Sequence, residues 1–124
     1  MAKLELDNSS AAYLIRSYQP GRIQINETTF THSLIITPTQ LITDWPPQTH
    51  AELTPAQLSP ILTLKPDVLL IGTGASLVLL PVSLYGDLIN LGIGVEVMDT
   101  SAACRTFNAL AAEERRVAAA LIIS

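Results

Sequence analysis

Two short polar segments of the sequence combine residue types that can bind an anion or a small molecule. The first is Gly72-Thr73-Gly74-Ala75-Ser76, and the second is Asp99-Thr100-Ser101-Ala102-Ala103-Cys104-Arg105. The first follows a continuous apolar run and the second follows the segment 95–98, and both preceding segments are predicted to be buried strands. Because ligands of open α/β sheets bind in the crevice outside the carboxyl ends of the strands, both segments are predicted to border such a crevice.

The first segment can expose backbone N–H groups to an anion. Gly72 and Gly74 allow conformations that turn successive N–H groups the same way, and Thr73 and Ser76 add hydroxyl donors. Leu77 stands where a dinucleotide fingerprint has its last glycine, and no lysine follows as in a P-loop, so neither nucleotide-binding motif is present. The structural alternative is a tight turn that ends a buried strand.

The second segment lies at a predicted helix start. Its free N–H groups and Arg105 could hold a carboxylate or phosphate, with Asp99 or Thr100 orienting it. The alternative is simple N-capping of the helix by Asp99, Thr100 or Ser101. Cys104 beside Arg105 could be a nucleophile, but its alanine neighbours favour a packed small side chain, and no histidine lies close in sequence to act as its base.

The remaining candidate residues predict neither a metal site nor a cofactor. Cys104 is the only cysteine, so the chain forms no internal disulfide and no cysteine-based metal site. His32 and His50 stand apart from each other and from any acid or nucleophile motif, and are interpreted as polar loop or strand residues. Without a complete catalytic constellation, we expect a protein that is not an enzyme.

Composition predicts a single domain over residues 1–124 that remains in the cytoplasm. The chain is 48% hydrophobic and 15% charged, which provides enough apolar material for one core. A net charge of −4 with seven scattered basic residues argues against nucleic acid. No apolar run is long enough to insert into a membrane, and the start, with Glu5 and Asp7 but no apolar stretch, does not match a secretory signal.

The elements that must position these residues differ between the two parts of the chain. The first third predicts an antiparallel β meander, with strands at 13–18, 22–25, 28–30, 33–37 and 41–45 separated by turn residues. Thr54-Pro55-Ala56-Gln57 predicts the capped start of one short helix. The rest alternates β-α-β-α-β, with strands at 67–71, 95–98 and 117–123, a helix from Pro81 to Gly92 and another from about 99 to 114. This alternation predicts an α/β fold with a central parallel or mixed sheet and right-handed crossovers.

Several of these segments together resemble a known protein family. They are 67–74, 94–100 and the residues Ala103, Arg105, Thr106, Asn108-Ala109-Leu110, Glu114-Arg115 and 117–121. The chain resembles the small α/β proteins of unknown function related to mitochondrial assembly factor three of NADH:ubiquinone oxidoreductase (complex I). The resemblance implies a three-layer α/β fold with a central mixed sheet. For the mitochondrial branch it also implies a chaperone-like role in assembling a respiratory complex.

The leading hypothesis is therefore a non-enzymatic protein-interaction module that resembles an assembly factor. Trp45, as an exposed aromatic anchor, and the charged run 113–116 are candidate docking residues, with a core position and a solvated helix end as their respective alternatives. The alternative function is a small-molecule or anion binder, or a weak enzyme, that uses the crevice between 72–74 and 99–105. A third hypothesis is a structural homo-oligomer.

Overall fold

The fold is described from a computed structural model of residues 11–124, in which eight strands and three α-helices follow one another. The strands are β1 (Ile15–Gln19), β2 (Arg22–Ile25), β3 (Thr28–Phe30), β4 (Leu34–Ile36), β5 (Leu41–Ile42), β6 (Val68–Gly72), β7 (Gly94–Met98) and β8 (Val117–Leu121). The helices are α1 (Pro60–Leu64), α2 (Gly86–Asn90) and α3 (Thr100–Ala112), with 3-10 turns at His50–Glu52, Pro55–Leu58 and Val82–Leu84. The prediction about a secretory signal concerns residues outside this part of the chain.

A five-stranded mixed sheet with the order β5-β4-β8-β6-β7 forms the centre of the molecule. Strands β7, β6 and β8 are parallel, and β4 and β5 extend this sheet with antiparallel pairing. Leu70 of β6 lies between Glu96 of β7 and Ala119 of β8 in the register. The carboxyl ends of the three parallel strands therefore lie at the same end of the sheet.

Helix α3 and a separate antiparallel sheet, β1-β2-β3, cover one face of the central sheet. Phe107 of α3, Ile23 of β2 and Leu70 of β6 are fully buried in that layer. Asn108 fastens the helix to the small sheet: its Nδ2 donates to the Ile15 carbonyl at 2.7 Å, and its Oδ1 accepts from the Ile15 N–H at 3.1 Å. Helix α3 is thus packed against the central sheet and hydrogen-bonded to the small sheet.

Helices α1 and α2 and the 3-10 turns cover the opposite face. Leu58, Ile61 and Leu88 pack there against Leu69 and Ile71 of β6. The result is three layers around a mixed central sheet, with an antiparallel β region from the first third of the chain, and the predicted fold class is confirmed. The central strand β8 is buried along its whole length, and its alanines 118–120 let both outer layers approach closely.

Three details of the predicted elements differ from the structure. The meander is divided, because β4 and β5 join the central sheet while β1 to β3 form their own. The helix predicted at Thr54 is a 3-10 turn followed by α1, since Pro60 interrupts the run. The helix predicted from Pro81 is also broken, at Tyr85, whose backbone angles of −127° and 7° are not helical.

Trp45 is a core residue, which confirms the core position expected of a lone tryptophan and excludes a role as an exposed docking anchor. Its side chain is only 3% exposed, and its indole Nε1 donates to the Gln57 carbonyl at 2.8 Å. The indole fills the layer beneath α1 and satisfies its one polar group internally.

The helices of residues 11–124 include none with the length and apolar character that a membrane span needs.

Candidate functional site

The two predicted site segments meet at the carboxyl ends of β6 and β8. The Thr100 hydroxyl accepts a hydrogen bond from the Gly74 N–H at 2.8 Å and donates one to the Ile122 carbonyl at 2.6 Å. The Thr100 N–H donates in turn to the Gly74 carbonyl at 2.9 Å. Thr100 is fully buried, so these bonds join three chain segments in the interior.

Gly72 is required by the close approach of Thr100. A Cβ built on Gly72 would lie 2.8 Å from the Thr100 hydroxyl oxygen and 3.1 Å from the Thr100 Cα. The Gly72 carbonyl accepts from the Ile122 N–H at 3.0 Å. The glycine therefore serves the packing of β6 against the start of α3, in addition to ending the strand.

The polar groups of Thr73 are also used within the protein. Its N–H donates to the Met98 carbonyl at 2.9 Å, and its hydroxyl donates to the Ser76 carbonyl at 2.6 Å while accepting from the Val78 N–H at 3.2 Å. The N–H groups of Thr73 and Gly74, which the anion hypothesis needs, thus have internal partners in this arrangement. They support the tight-turn alternative for this segment.

Asp99 is the N-cap of α3, as one of the alternatives predicted. Its Oδ1 accepts from the Ala102 N–H at 2.8 Å. Arg105, one turn into the helix, is exposed and donates to the Ser101 hydroxyl at 2.9 Å. The guanidinium therefore lies along the helix surface beside Ser101.

The candidate residues border two different cavities. Ser101 and Arg105 line a cavity of about 200 Å³ together with Tyr18 of β1 and Cys104 of α3. Thr73 and Ser76 line another, of about 390 Å³, together with His50 and Ser124. The structure brings Gly72, Thr73, Gly74 and Thr100 into contact, while Ser76 faces one cavity and Ser101 and Arg105 the other. Ligand binding by any of these residues stays a prediction.

The smaller cavity contains a thiol that is strongly held in its protonated form. Burial raises the pKa of Cys104 to about 12, against a smaller lowering by Arg105. Within residues 11–124, the buried Tyr18 hydroxyl of the same cavity has no hydrogen-bond partner. Burial raises the pKa of Tyr18, an effect that the nearby Thr100 side chain only partly offsets. A thiol at physiological pH is a poor nucleophile, so Cys104 serves here as a small packed side chain.

His50 was not predicted as a site residue. It lies in the 3-10 turn His50–Glu52, far in sequence from β6, and it lines the larger cavity together with Thr49, Thr73 and Ser124. Ser124 is tied to the same segment through its hydroxyl, which donates to the Gln48 carbonyl. No local sequence signal marks this approach, since it depends on the tertiary fold.

A larger feature, which the sequence analysis missed, is a set of exposed apolar side chains on the connection from β6 to β7, here called the apolar surface. Its side chains are between 46% and 87% exposed: Leu77, Leu79, Val82, Ile89 and Leu91. Leu79 alone is 87% exposed. The pattern suggested core helix positions for 81–91, but the chain there forms only a 3-10 turn and the short α2. The available signal was the density of leucine and valine over 77–91 with Asp87 as the single charge.

The charged run 113–116 follows α3 and is exposed throughout, as predicted for a solvated helix end. Glu114 has a φ of 61°, which turns the chain back toward β8. The Arg116 guanidinium donates to the Lys65 carbonyl, and Arg115 and Arg116 line a cavity of about 230 Å³ with Gln40 and Pro66. This cavity lies at the amino end of β8, away from the candidate site. A docking role for this run stays a prediction.

Comparison with known proteins places these features in a family. NADH dehydrogenase [ubiquinone] 1 alpha subcomplex assembly factor 3 of Danio rerio is 38% identical over 116 residues, which are 92% of this chain and 66% of that protein. The 13 kDa major membrane protein of Francisella tularensis is 28% identical over 98% of this chain and its own full length. The chain thus spans slightly less than two thirds of the vertebrate relative.

Solved structures share the same architecture. A crystal structure of a protein from Bordetella parapertussis is 39% identical and superimposes with a TM-score of 0.85, covering 92% of this chain and 98% of that one. Residues 15–122 also match the family described as protein of unknown function (DUF498/DUF598). That match spans β1 to β8 and both segments of the candidate site. The chain therefore belongs to the DUF498/DUF598 family, as the resemblance implied.

Proposed function

We propose that the protein is a non-enzymatic interaction module that assists the assembly of a larger protein complex. The observation that carries this proposal is the exposed apolar surface. Leu79, Leu91 and Val82 are each at least 64% exposed and belong to one connection between two parallel strands. Several large apolar side chains left exposed on one short connection are typical of a contact with another protein.

The relatives support the same class of function. The Danio rerio protein bears the name of an assembly factor for a subcomplex of NADH dehydrogenase, and this chain matches it over 92% of its own length. We therefore propose a respiratory NADH dehydrogenase as the first complex whose subunits should be tested. The internally bonded Thr73 and Gly74 amides agree with a module that acts through its surface.

Affinity capture with surface variants tests the proposal. The full chain would be expressed at its native level in its own cells, as wild type, as Leu79→Asp and as Val82→Asp. We expect the wild type to recover a reproducible set of partners and both variants to lose them, because a buried unpaired carboxylate opposes docking. Leu14→Asp is the matched control, since Leu14 is 41% exposed. It precedes β1, which belongs to the layer on the other face of the central sheet from α2. Recovery of no specific protein by the wild type would refute the proposal.

A second candidate function is binding of a small anion or metabolite in the cavity of about 390 Å³. The observation that favours it is the convergence of Thr49, His50 and Ser76 in a cavity beside the carboxyl end of β6. Titration with inorganic phosphate, followed through backbone amide shifts in ¹⁵N spectra, tests it. Saturable shifts at Ser76 and His50 that disappear in Ser76→Ala would support binding. Shifts spread evenly over surface residues, or none, would exclude phosphate as a ligand.

The proposal also includes the cytoplasmic location and the single-domain organisation expected from composition. Cell fractionation addresses the first and one cooperative unfolding transition the second. Sedimentation of the purified chain decides the homo-oligomer hypothesis. A stable dimer that is lost in Leu79→Asp would mean that the apolar surface serves self-association.

A further inference from the structure

Strand β7 presents an open edge of the central sheet. Among residues 11–124 its pairing partner is β6, on one side only. The Gly94 N–H donates to the Asp67 carbonyl and the Met98 carbonyl accepts from the Thr73 N–H, both at 2.9 Å. Since alternate residues of a parallel strand bond to the same neighbour, the N–H and C=O groups of Val95 and Val97 point outward. These four groups can accept another strand.

The stretch of sequence that contains this edge is acidic and apolar, and Lys65 and Arg105 flank it. From Pro66 to Cys104 the chain contains four acids, Asp67, Asp87, Glu96 and Asp99, and no lysine or arginine. Glu96 is exposed in the middle of β7. The apolar surface 77–91 belongs to the same stretch. Glu96 therefore favours a partner with positive charge at this strand, and the exposed apolar side chains favour one that also supplies apolar groups.

A second copy of the chain does not meet that requirement. If two β7 strands paired through Val95 and Val97 in antiparallel fashion, each Glu96 would lie opposite the other. Like charges directly opposite in a sheet destabilise the pair. Other registers pair no basic residue of β7 with Glu96, because β7 contains none. A charge on an exposed edge strand is also a common device against self-association, so Glu96 disfavours the dimer while it leaves the edge open to a basic strand.

We infer that β7 binds an extended segment of a different protein, in which basic and apolar residues alternate, as an added strand. This inference rests on the proposed interaction function. The backbone of the segment would bond to Val95 and Val97, and its basic side chains would lie on the face of Glu96. On the other face, α2 packs against Val95 and Val97. There the apolar side chains of the bound segment would contact Ile89 of α2 and Leu91, the residue after α2, both of which are exposed.

Amide hydrogen exchange of the full chain tests the inference with a defined probe. The probe is a blocked synthetic peptide of alternating lysine and valine, and the matched control peptide carries glutamate in place of lysine. At about 90% saturation, exchange of the Val95 and Val97 N–H groups should slow about tenfold, because only the free fraction exchanges. The glutamate peptide should leave both unchanged. Equal effects of the two peptides, protection elsewhere only, or no binding would overturn the inference.

Two variants separate backbone pairing from charge attraction. Glu96→Lys should no longer bind the lysine peptide and should bind the glutamate peptide. The control is Glu27→Lys, which makes the same charge change at an exposed turn residue of the small sheet and should keep the wild-type preference. Val97→Pro removes one outward N–H, a position where an edge strand tolerates proline, and should abolish protection at Val95. If Glu96→Lys behaves like Glu27→Lys, the attraction is non-specific and the inference fails.

The failure of this inference is distinguishable from failure of the proposed function. If cellular partners are captured by wild type and lost in Leu79→Asp, but captured equally by Glu96→Lys and Val97→Pro, the interaction function stands and the edge is not its site. If wild type captures no specific partner, the proposed function itself fails.

Discussion

The Thr100 hydroxyl accepts a hydrogen bond from the Gly74 N–H at 2.8 Å, and this bond joins the two segments that the sequence marks as site candidates. The same hydroxyl donates to the Ile122 carbonyl, so one buried side chain holds the ends of β6 and β8 to the start of α3. A buried group with two internal partners contributes chiefly to stability. Four predictions concern this junction and its neighbours.

Thr100→Val should destabilise the fold by about 2–3 kcal/mol, because the Gly74 N–H and the Ile122 carbonyl lose their buried partner while side-chain volume is kept. Urea unfolding measures the effect. Thr100→Ser retains the hydroxyl and should cost about 1 kcal/mol, the loss of a buried methyl. A loss in Thr100→Ser that equals or exceeds the loss in Thr100→Val would contradict the larger contribution assigned to the hydrogen bonds.

Gly72→Ala should destabilise by about 1–3 kcal/mol, because the new Cβ meets the Thr100 side chain and backbone at 2.8 and 3.1 Å. Gly86→Ala is the matched control. Its Cβ would find only Val82 Cγ1 at 3.8 Å, and it lies in α2, where alanine is favoured by about 0.5–1 kcal/mol. Thermal unfolding should separate the two variants in opposite directions. A tolerated alanine at 72 would contradict the close packing.

Asp99→Ala should cost about 1 kcal/mol through loss of the N-cap bond to the Ala102 N–H. Asp99→Asn keeps an acceptor at the same position and should lose much less. Chemical denaturation of both variants at neutral pH makes the comparison. If Asn were as destabilising as Ala, the carboxylate charge would be the contributing feature, in place of the cap itself.

Cys104 should resist thiol reagents at mildly alkaline pH in the folded protein and react when urea is added. Its pKa is about 12 when folded against 9.0 for the ordinary thiol, so the unfolded chain loses the proton first. The contribution of protonated Cys104 to the free energy of unfolding is therefore complete below pH 9.0. It should fall as the pH rises from there toward about 12. Unfolding curves across this range measure the fall.

Cys104→Ala is the control for the pH effect. The variant should show a shallower loss of stability over the same range, with the rest of the loss assigned to groups such as Tyr18, whose pKa is also raised by burial. Rapid labelling of the native thiol, or an identical pH slope in the variant, would contradict the assignment of a buried neutral Cys104.

The alternation of strand and helix patterns determined the fold class. Continuous apolar runs at 68–71 and 117–123 are buried on both faces, and that requires covering layers on each side of the sheet, as the structure has. Asp99 was likewise among the predicted caps, because capping depends on residues a few positions apart. Such local relationships are contained in the sequence itself.

Tertiary structure alone decided which groups remain free. Whether the Gly74 N–H faces a ligand or Thr100 depends on contacts between residues 26 positions apart, and whether Trp45 is an anchor or core depends on the Gln57 segment that covers it. The exposure of Leu79 and the open edge of β7 follow from the strand order, which no local pattern specifies. Burial and pairing are long-range properties, and so composition and spacing located the candidate residues while the packed fold assigned their partners.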